Sequence, residues 1–529
     1  MRRRRMLLGW TALAVLACSA CASDAESAFG APSRGANDEA GDPSSGGAGA
    51  GAGAAPGAPP PEKEVESEYE APVATGNFVW VANPKSGRVA FVDASSLQVR
   101  TVEAGNGPTY LASVPGQAAD TTVVLNVLSQ DATVLRASKE GIATDTLKTA
   151  AQANALAFSA DGRWAIAWAD ARKTPNAPRT EGFQDLTVMD LVNKTSTILA
   201  VGYRPVTVGF SGTGPRAYAI TQDGISILDL SAVPKLVKNV AISDTPNEDP
   251  GTRDVFVTKD GANAFIRRDG SPDITAVSLD TDKRVTITLS GPVTDLDLAD
   301  TGDRAVAVIR NTSEAVVLPI PGIIQNPTGG TTVALAGETV GSVSIAPGGQ
   351  RALLYTNAVA AERVTILDLG AGTFRTVRLY SPVLGVFSSP DAQHAVVLHD
   401  RTTPEDGSAG SPGAFSIVPV GATLPAKIVA TKAPPVAVAV TNDRAIIAER
   451  STVSNVFGAY LARMPQLMVE RYELASPPTA VGVVAGANRA FIAQDHPEGR
   501  LTFVDLDSGV ARTLTGFELA SRVVDGSRP

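Results

Sequence analysis

Asp161-Gly162-Arg163-Trp164-Ala165 is the stretch of this sequence that decides the fold, because variants of it return along most of the chain. Each copy follows a short apolar run and joins a tight-turn signal to a charged or polar residue and then Ala. The further copies are Gly214-Pro215-Arg216-Ala217, Asp260-Gly261-Ala262-Asn263-Ala264, Thr301-Gly302-Asp303-Arg304-Ala305, Gly348-Gly349-Gln350-Arg351-Ala352, Asp391-Ala392-Gln393-His394-Ala395, Asn442-Asp443-Arg444-Ala445 and Gly486-Ala487-Asn488-Arg489-Ala490. They recur at intervals of roughly 40 to 50 residues, which is the period of a four-stranded propeller blade.

The residues around each copy divide into four strands. An apolar run precedes the turn, as in Leu156-Ala157-Phe158-Ser159, and a second run follows it, as in Arg351-Ala352-Leu353-Leu354-Tyr355. The third run ends in Asp-Leu, as in Ile225-Ser226-Ile227-Leu228-Asp229-Leu230, and the fourth is rich in Thr and Val, as in Arg284-Val285-Thr286-Ile287-Thr288-Leu289. β-Branched residues, alternation with period two and intervening Gly, Asp and Asn all favour strands. We therefore expect an all-β chain with no sustained helix outside its first residues.

The number of units is read from the first strands. These lie near Tyr110, Leu156, Val208, Val255, Leu296, Val343, Val386, Val438, Val483 and Ser521. One sheet cannot hide both faces from water, so neighbouring units must stack, and a closed ring removes the exposed outer sheets. We expect a β-propeller over residues 76–529 with about ten blades, within a range of seven to ten. A smaller ring with some loops counted as blades and two separate rings are the alternatives.

The two ends of the repeat indicate how the ring closes. Residues 78–103 supply second, third and fourth strands with no first strand before them, whereas residues 517–524 look like a first strand with nothing after it. We predict that these two segments share one blade, so that N- and C-terminal strands close the ring. The Pro/Gly-rich stretch 402–413 and the loop 171–182 are interpreted as insertions within blades.

Two charged residue types recur at equivalent places in the repeat. Their repetition indicates turn and blade-packing roles for the arginines, and bonds to the backbone at strand ends for the aspartates. The arginines are Arg163, Arg216, Arg304, Arg351, Arg444 and Arg489, and the aspartates are Asp93, Asp190, Asp229, Asp368 and Asp505.

Two segments carry a family resemblance. Phe78-Val79-Trp80-Val81-Ala82-Asn83 followed by Gly87-Arg88-Val89-Ala90-Phe91-Val92-Asp93 resembles the YVTN-type β-propeller repeat. Phe491-Ile492-Ala493-Gln494 followed by Gly499-Arg500-Leu501-Thr502-Phe503-Val504-Asp505 resembles it again. The likeness covers most of residues 77–525 and is degenerate in the middle units. It implies the propeller fold and says little about activity, because this family includes surface proteins, binding modules and some enzymes.

The N-terminus has the parts of a secretion signal. Arg2–Arg5 are basic, and Met6–Ala17 form an apolar run that is too short to span a membrane. The segment ends in Val15-Leu16-Ala17 before Cys18, which resembles the lipobox of bacterial lipoproteins and implies cleavage before an acylated Cys18; Cys21 is the second candidate. The alternative, a redox Cys-x-x-Cys pair, requires a helix N-terminus inside a folded domain. The arginines also permit twin-arginine export.

Residues 18–75 follow as a lipidated, Gly/Ala/Pro-rich linker. Because little apolar area is available to offset the entropy of ordering, we expect this linker to be disordered. These features predict a lipid-anchored protein of the bacterial cell envelope that faces the periplasm or the exterior. The acyl chains would be its only membrane attachment, because no later stretch approaches 18 uninterrupted apolar residues.

Charge and cysteine content exclude several classes. The formal net charge is −9, and loss of the four signal arginines makes it −13. That sign opposes phosphate backbones, so no nucleic-acid partner is expected. Because Cys18 and Cys21 are the only cysteines, no disulfide can link parts of the folded domain.

Catalytic signatures are absent from the sequence. It contains no GxSxG, HExxH or Walker GK[ST] motif, and no GxGxxG follows a strand. The three histidines, His394, His399 and His496, fall at strand ends and in a loop, and a metal site would require them to converge. We therefore assign no catalytic residue and expect neither a metal nor a cofactor.

Three acids on first strands are the candidate site: Asp254, Asp295 and Asp297. First strands line the channel of a propeller, and Asp295 and Asp297 share a strand face because side chains alternate with period two. One interpretation is a wet channel wall, where crowding demands small or polar residues. The other is a cation or polar-ligand site built from oxygen ligands, which Ca²⁺ prefers.

The sequence favours a lipid-anchored, extracytoplasmic scaffold, expected as a monomer, that binds a protein or a small ligand of unknown identity. The alternative is a propeller-class enzyme, lactonase-like or quinoprotein-like, with its site at the central channel. A structural part of the envelope without a small ligand is a third hypothesis.

Overall fold

A computed structural model describes residues 72–516, apart from position 118 and the stretches 139–140, 171–172, 174–182, 246–247, 380, 401–411 and 497–498. Forty strands form ten antiparallel sheets of four strands each, arranged as the blades of one ring. The all-β prediction and the β-propeller are therefore confirmed, and the number of blades is ten. The predicted signal (1–17), Cys18, Cys21 and almost all of the linker lie outside the described residues.

In blades 1 to 5 the strands run in order from the channel to the rim. Blade 1 has β1 Val73–Ala74, β2 Phe78–Asn83, β3 Arg88–Asp93 and β4 Val99–Glu103. Blade 2 has β5 Pro108–Ser113, β6 Asp120–Asn126, β7 Asp131–Ala137 and β8 Ile142–Lys148. Blade 3 has β9 Ala155–Phe158, β10 Trp164–Trp168, β11 Asp185–Asp190 and β12 Thr195–Ala200. Blade 4 has β13 Pro205–Phe210, β14 Arg216–Thr221, β15 Gly224–Asp229 and β16 Lys235–Ala241. Blade 5 has β17 Arg253–Val257, β18 Asn263–Arg268, β19 Asp273–Ser278 and β20 Arg284–Thr288.

Blades 6 to 10 follow the same plan. Blade 6 has β21 Asp295–Leu298, β22 Arg304–Ile309, β23 Glu314–Pro319 and β24 Thr331–Ala334. Blade 7 has β25 Ser342–Ile345, β26 Arg351–Tyr355, β27 Arg363–Asp368 and β28 Thr373–Arg378. Blade 8 has β29 Val383–Ser388, β30 His394–His399, β31 Ala414–Pro419 and β32 Lys427–Ala430. Blade 9 has β33 Pro435–Val440, β34 Arg444–Ser451, β35 Val456–Arg463 and β36 Met468–Glu473. Blade 10 has β37 Pro478–Val484, β38 Arg489–Gln494, β39 Arg500–Asp505 and β40 Ala511–Thr515.

Helix is confined to single turns in the described part of the chain. Between β23 and β24 lies the one-turn helix α1, Gly322–Gln325, and 3-10 turns occupy Pro250–Thr252 and Ala485–Ala487. Ile323 of α1 is fully buried in the core between blades 5 and 6. A helix this short draws its stability from that packing rather than from its own hydrogen bonds.

Burial explains why each strand has its composition. The second strands are apolar along nearly their whole length, as in β10, because neighbouring blades cover both of their faces. The fourth strands alternate between exposed and covered residues, as in β16, because they form the rim of the ring. The core therefore lies between blades: Trp164, Ile166 and Trp168 of blade 3 pack against Ala217 and Ala219 of blade 4. No blade buries its apolar faces by itself.

The recurrent aspartates bind backbone N–H groups at the end of the third strand, as expected. Asp93 Oδ1 accepts from the N–H groups of Ser95 and Ser96 at 2.8 and 2.9 Å. The same pair of bonds recurs at Asp190, Asp368 and Asp505, and Asp229 accepts from the N–H of Ser231. Such bonds fix the turn between the third and fourth strands.

The ring closes where blade 10 meets blade 1. Val79 and Val92 of blade 1 share a buried cluster with Phe491 and Phe503 of blade 10. The first strand of blade 1 corrects the prediction, because Val73–Ala74 directly before β2 occupies that position. The folded domain accordingly begins three residues before the predicted boundary at residue 76. The segment 517–529, which was predicted to supply this strand, lies outside the described residues.

Candidate functional site

The two faces of the ring are built from different connections. Connections between strands 1 and 2 and between strands 3 and 4 lie on one face, which we call the turn face. Connections between strands 2 and 3 and between successive blades lie on the other, which we call the loop face. Strands 2 and 3 are separated by two residues in blade 4 (222–223), by sixteen in blade 3 (169–184) and by fourteen in blade 8 (400–413); most residues of the two longer segments lie outside the described part of the chain. Turn-face connections are short and uniform, apart from residues 320–330 around α1.

Hydrogen bonds between successive blades tie the turn face together. In blade 4 the N–H of Gly212 donates to the Lys259 carbonyl of blade 5 at 2.7 Å, and Lys259 Nζ donates to the Asp300 carbonyl of blade 6 at 3.0 Å. Equivalent bonds are donated by Asn77 to Asp120, by Gln117 to the Gly162 carbonyl, by the N–H of Gly348 to Asp300, and by the N–H of Gly486 to the Gly76 carbonyl. The turn face is therefore occupied by contacts that hold the blades in place.

The recurrent arginines also form contacts within and between blades on the turn face. Arg216 binds Asp280 of the next blade at 2.8 Å, Arg444 donates to the Leu506 carbonyl of blade 10 at 3.3 Å, and Arg489 donates to the Ala94 carbonyl of blade 1. Arg163 and Arg304 instead bind carboxylates of their own blades, Asp190 and Asp303. Turn and blade-packing roles, as expected from the sequence, therefore account for these five arginines.

Asp295 and Asp297 lie on β21 and reach across the channel edge to blade 7. Asp295 Oδ2 accepts from the N–H of Val343 at 2.7 Å, and Asp297 Oδ2 accepts from the N–H of Ile345 at 2.7 Å. These N–H groups belong to β25, the channel strand of blade 7. The structure thus brings these two predicted acids together and uses both to bind the neighbouring strand.

Asp254 stands apart from that pair, on β17 of blade 5. Its Oδ2 accepts a hydrogen bond from Arg267 Nε at 2.7 Å and a second one from Nη2. Arg267 Nη1 also donates to Asp269 Oδ1 at 3.0 Å and to the Val293 carbonyl at 3.2 Å. Arg267 therefore joins Asp254 to the connection that leads into blade 6.

Burial and charge shift the ionisation of these groups. Burial raises the pKa of Asp295 to about 7; the hydrogen bond from Val343 opposes this shift, and the neighbouring charge of Asp297 adds to it. Burial alone would lower the pKa of Arg267, but the charge of Asp254 and its hydrogen bond raise it. Arg267 therefore stays cationic among carboxylates.

A second charged cluster on the loop face of blade 5 was not foreseen from the sequence. Glu248, before β17, binds Arg268 Nε at 2.7 Å and also binds Arg253. Arg253 donates to the carbonyl of Thr221, the last residue of β14, and to that of Gln222 in the strand 2–3 connection of blade 4. Although burial opposes ionisation, the bonds from Arg268 and Arg253 lower the pKa of Glu248 to about 2. The cluster fixes the connection between blades 4 and 5.

Blade 9 contains a third buried carboxylate with a full set of donors. Glu449 is inaccessible to solvent and accepts from Arg471, from the Tyr460 hydroxyl at 3.1 Å, and from the N–H groups of Lys432 and Ala433 at 2.7 and 3.0 Å. Burial, together with the Glu449 charge, raises the pKa of Tyr460 to about 12. Glu449 therefore holds in place the connection that leads from blade 8 into blade 9.

The three histidines do not converge. His394 and His399 are the two ends of β30, and His496 lies in blade 10. His399 contacts the Pro382 carbonyl at 3.2 Å and Ser416 Oγ at 2.7 Å, and burial lowers its pKa to about 4. Within the described residues, no three His, Cys, Asp or Glu side chains are grouped so that they could hold a metal ion.

Two grooves open on the rim of the ring. One, of about 400 Å³, lies between β32 and the blade 9 residues Tyr460, Val469 and Arg471. The other, of about 620 Å³, lies between β24 and residues 371–374 of blade 7. Both lie beside fourth strands of only four residues, which leave part of the next blade uncovered. None of the helices in the described part of the chain is long and apolar enough to cross a membrane.

Comparison with known proteins assigns this chain to no family. No protein-family model matches the sequence, and no curated protein matches it. Among solved structures, a eukaryotic initiation factor aligns with a TM-score of 0.49 and 13% identity over 74% of this chain and 94% of that one. The C-terminal WD40 domain of Sif2 aligns with a TM-score of 0.41 and 12% identity over 74% and 95%. Dihydro-heme d1 dehydrogenase NirN aligns with a TM-score of 0.41 and 11% identity over 83% and 73%. Likeness at this level carries no argument about activity.

Proposed function

We propose that this protein is a lipid-anchored, extracytoplasmic scaffold that binds its partner on the loop face of the propeller. The observation that carries the proposal is the contrast between the faces. Apart from residues 320–330, turn-face connections are short and uniform, whereas the sequence between strands 2 and 3 on the loop-face side varies from two residues (222–223) to sixteen (169–184). In repeat proteins insertions collect on the face that binds, because loops there vary without disturbing the packed sheets.

Exposed apolar residues lie at the tips of connections on both faces, and those on the loop face offer contacts for a protein partner. Leu128 is 75% exposed between β6 and β7, and Val453 is 98% exposed between β34 and β35. Single exposed apolar residues are common on protein surfaces, so Leu128 and Val453 serve only as positions at which contact with a partner can be tested. A small ligand at the same face is the second form of this proposal.

The N-terminal sequence is the basis of the proposed anchor, and the direction of β1 indicates the side of the ring from which the tether would approach. The first strand of each blade runs from the loop face towards the turn face, so the chain reaches Pro72 and β1 from the loop-face side. A tether acylated at Cys18 would therefore join the domain on the side that is proposed to bind. Two or three acyl chains, at about 0.8 kcal/mol per buried methylene, hold a protein on a membrane where one does not.

Site-specific photo-cross-linking in the cells that make the protein tests the binding face. Cross-linkers replace Leu128 and Val453 on the loop face, and Val192 and Val510 on the turn face as matched controls that are 64% and 56% exposed. The proposal predicts a discrete adduct from the loop-face positions and none from the controls. Adducts from the turn-face positions alone would contradict it.

Membrane fractionation tests the anchor separately. Cys18→Ser should move the protein from the membrane to the soluble fraction, because the acylated residue is lost. Cys21→Ser is the matched control and should leave it on the membrane. A soluble Cys21→Ser protein with a membrane-bound Cys18→Ser protein would reassign the lipid to Cys21.

The enzymatic alternative gains no support from the channel acids. Asp254 is bonded to Arg267, and Asp295 and Asp297 are bonded to the backbone of β25. A catalytic site needs groups that converge on a shared point where a substrate atom can lie. The scaffold is therefore the function that the geometry of these residues favours.

A further inference from the structure

We propose that the seam between blades 6 and 7 is a proton-operated joint, in which the charge of Asp295 sets how firmly the channel strands β21 and β25 are held together. The joint is a property of the seam itself and does not depend on which partner the protein binds.

Three carboxyl groups lie at the seam, where β21 of blade 6 faces β25 of blade 7. The carboxyl groups of Asp295, Asp297 and Asp300 accept from the N–H groups of Val343, Ile345 and Gly348 at 2.7, 2.7 and 3.0 Å, each pair being 48 residues apart in the sequence. Because channel strands have an unpaired edge, these N–H groups have no strand partner on that side. The carboxyl groups supply the missing acceptors and link the edges of the two blades.

Two of the three acids are held close together. Asp295 and Asp297 are two residues apart on one strand and point to the same side, towards β25. Two carboxylates that share a partly dehydrated site repel each other, so that one of them binds its proton more tightly. Asp300 lies beyond the end of β21, in the exposed turn, and escapes this restriction.

Few strands place a charged group near Asp295. Asp297 faces it from its own strand, and Arg267 acts on it from β18. Arg267 is already bonded to Asp254 and Asp269, so its positive charge is largely compensated. On β22 the pairing partner of Asp295 is Val308, and the facing segment Ser342–Ile345 of β25 has no titratable side chain; Tyr355 lies opposite Ser342 on β26.

The direction of the pH effect follows from the protonation state of Asp295, because the closed seam favours its neutral carboxylic acid form. The pKa of Asp295 is raised from 3.8 to about 7, and opening the seam to water would return it towards 3.8. The closed seam therefore gains from protonation fully below about pH 4 and loses that gain as the pH rises through 7. Between pH 6 and pH 8 the opening equilibrium should grow by about tenfold.

Hydrogen–deuterium exchange of the full-length protein tests the joint. Amide protection in peptides that cover residues 342–348, corrected for intrinsic exchange, should fall about tenfold from pH 6 to pH 8. In Asp295→Asn, protection should be the same at both pH values. Equal protection at both pH values in the wild type, or an unchanged pH dependence in Asp295→Asn, would overturn the proposal.

Two further variants keep the test decisive. Asp300→Asn is the matched control: it removes a charge from the same seam but keeps an oxygen acceptor, and it should retain the wild-type pH dependence. Asp297→Asn removes the neighbouring charge, so the midpoint of the protection change should move to lower pH. An unmoved midpoint in Asp297→Asn would overturn the joint even if Asp295→Asn does not fold.

Discussion

The N–H of Gly486 donates a hydrogen bond to the Gly76 carbonyl at 2.6 Å, and this contact joins the last blade of the ring to the first. A Cβ on Gly486 would lie 2.4 Å from that carbonyl oxygen and 2.6 Å from Asn77 Oδ1. The seam can therefore close only if residue 486 has no side chain. Closure of a propeller ring removes the two exposed sheets that an open array of blades would leave.

Gly486→Ala should destabilise the ring, because its methyl group forces the two terminal blades apart. The expected loss in the free energy of unfolding is about 1–3 kcal/mol, the usual cost of overpacking. Gly370→Ala is the control, because its nearest neighbour, Asp368 Oδ1, would lie 3.5 Å from the new Cβ. Urea denaturation of both variants measures the difference, and equal stability would contradict closure through this contact.

Glu248→Gln should cost about 3 kcal/mol at neutral pH, because Arg253, whose side chain is 1% exposed, would lose its counter-charge. The pKa of Glu248 is lowered from 4.5 to about 2, so its contribution is present above pH 4.5 and is lost as the pH falls towards 2. Denaturant unfolding between pH 2 and 7 should show this loss in the wild type only.

Asp244→Asn is the matched control for that measurement. Asp244 pairs with Arg284, but its side chain is 91% exposed, so its removal should cost less than about 1 kcal/mol. If the two variants lost the same stability, the loop-face cluster of Glu248 would have no special structural role.

Asp297→Ala should destabilise the protein by about 1–3 kcal/mol, because the N–H of Ile345 loses its acceptor. Millimolar Ca²⁺ should leave the melting temperature of the wild type unchanged, because Asp295 and Asp297 are already bonded to β25. Thermal denaturation with and without Ca²⁺ measures both effects. A Ca²⁺-dependent rise in the wild type that Asp297→Ala abolishes would establish the cation site instead.

Two buried groups should drive stability in opposite directions between pH 7 and pH 4. Asp295, with its pKa raised from 3.8 to about 7, stabilises the fold as the pH falls; His399, with its pKa lowered from 6.5 to about 4, destabilises it. Between these pH values each effect is about 3 kcal/mol, so the two nearly cancel in the wild type. Asp295→Asn should therefore lose about 3 kcal/mol on acidification from pH 7 to pH 4, as measured by urea unfolding. A flat profile in that variant would show that His399 does not carry the opposing effect.

The fold could be predicted from the sequence because each copy of the repeat contains a recognisable turn. Each copy of the Gly/Asp turn before Arg-Ala lies between the first and second strands, and each Asp at the end of a third strand binds the following turn. The strand Val73–Ala74 was not predicted, because two residues are too few to show an alternating pattern. Ten first strands are counted in the sequence and the structure has ten blades, but Val73–Ala74 takes the place assigned to the strand near Ser521.

The candidate site was predicted only in part. Position along first strands placed Asp254, Asp295 and Asp297 at the channel, but their partners gave no signal. Val343 and Ile345 bind through backbone N–H groups, which every residue except proline has. Glu248 and Arg268 are separated by 20 residues and meet only because the connection before β17 folds back onto β18. Contacts between elements of this kind depend on topology rather than on any local motif.

A cryo-electron microscopy reconstruction of the full-length protein tests the central claim most directly, namely a closed ring of ten interdependent blades with two unlike faces. We expect ten blades in end-on views, continuous density between blades 10 and 1, and any co-purified partner on the loop face. Fewer blades, a gap at that seam, or a partner seated on the turn face would contradict it.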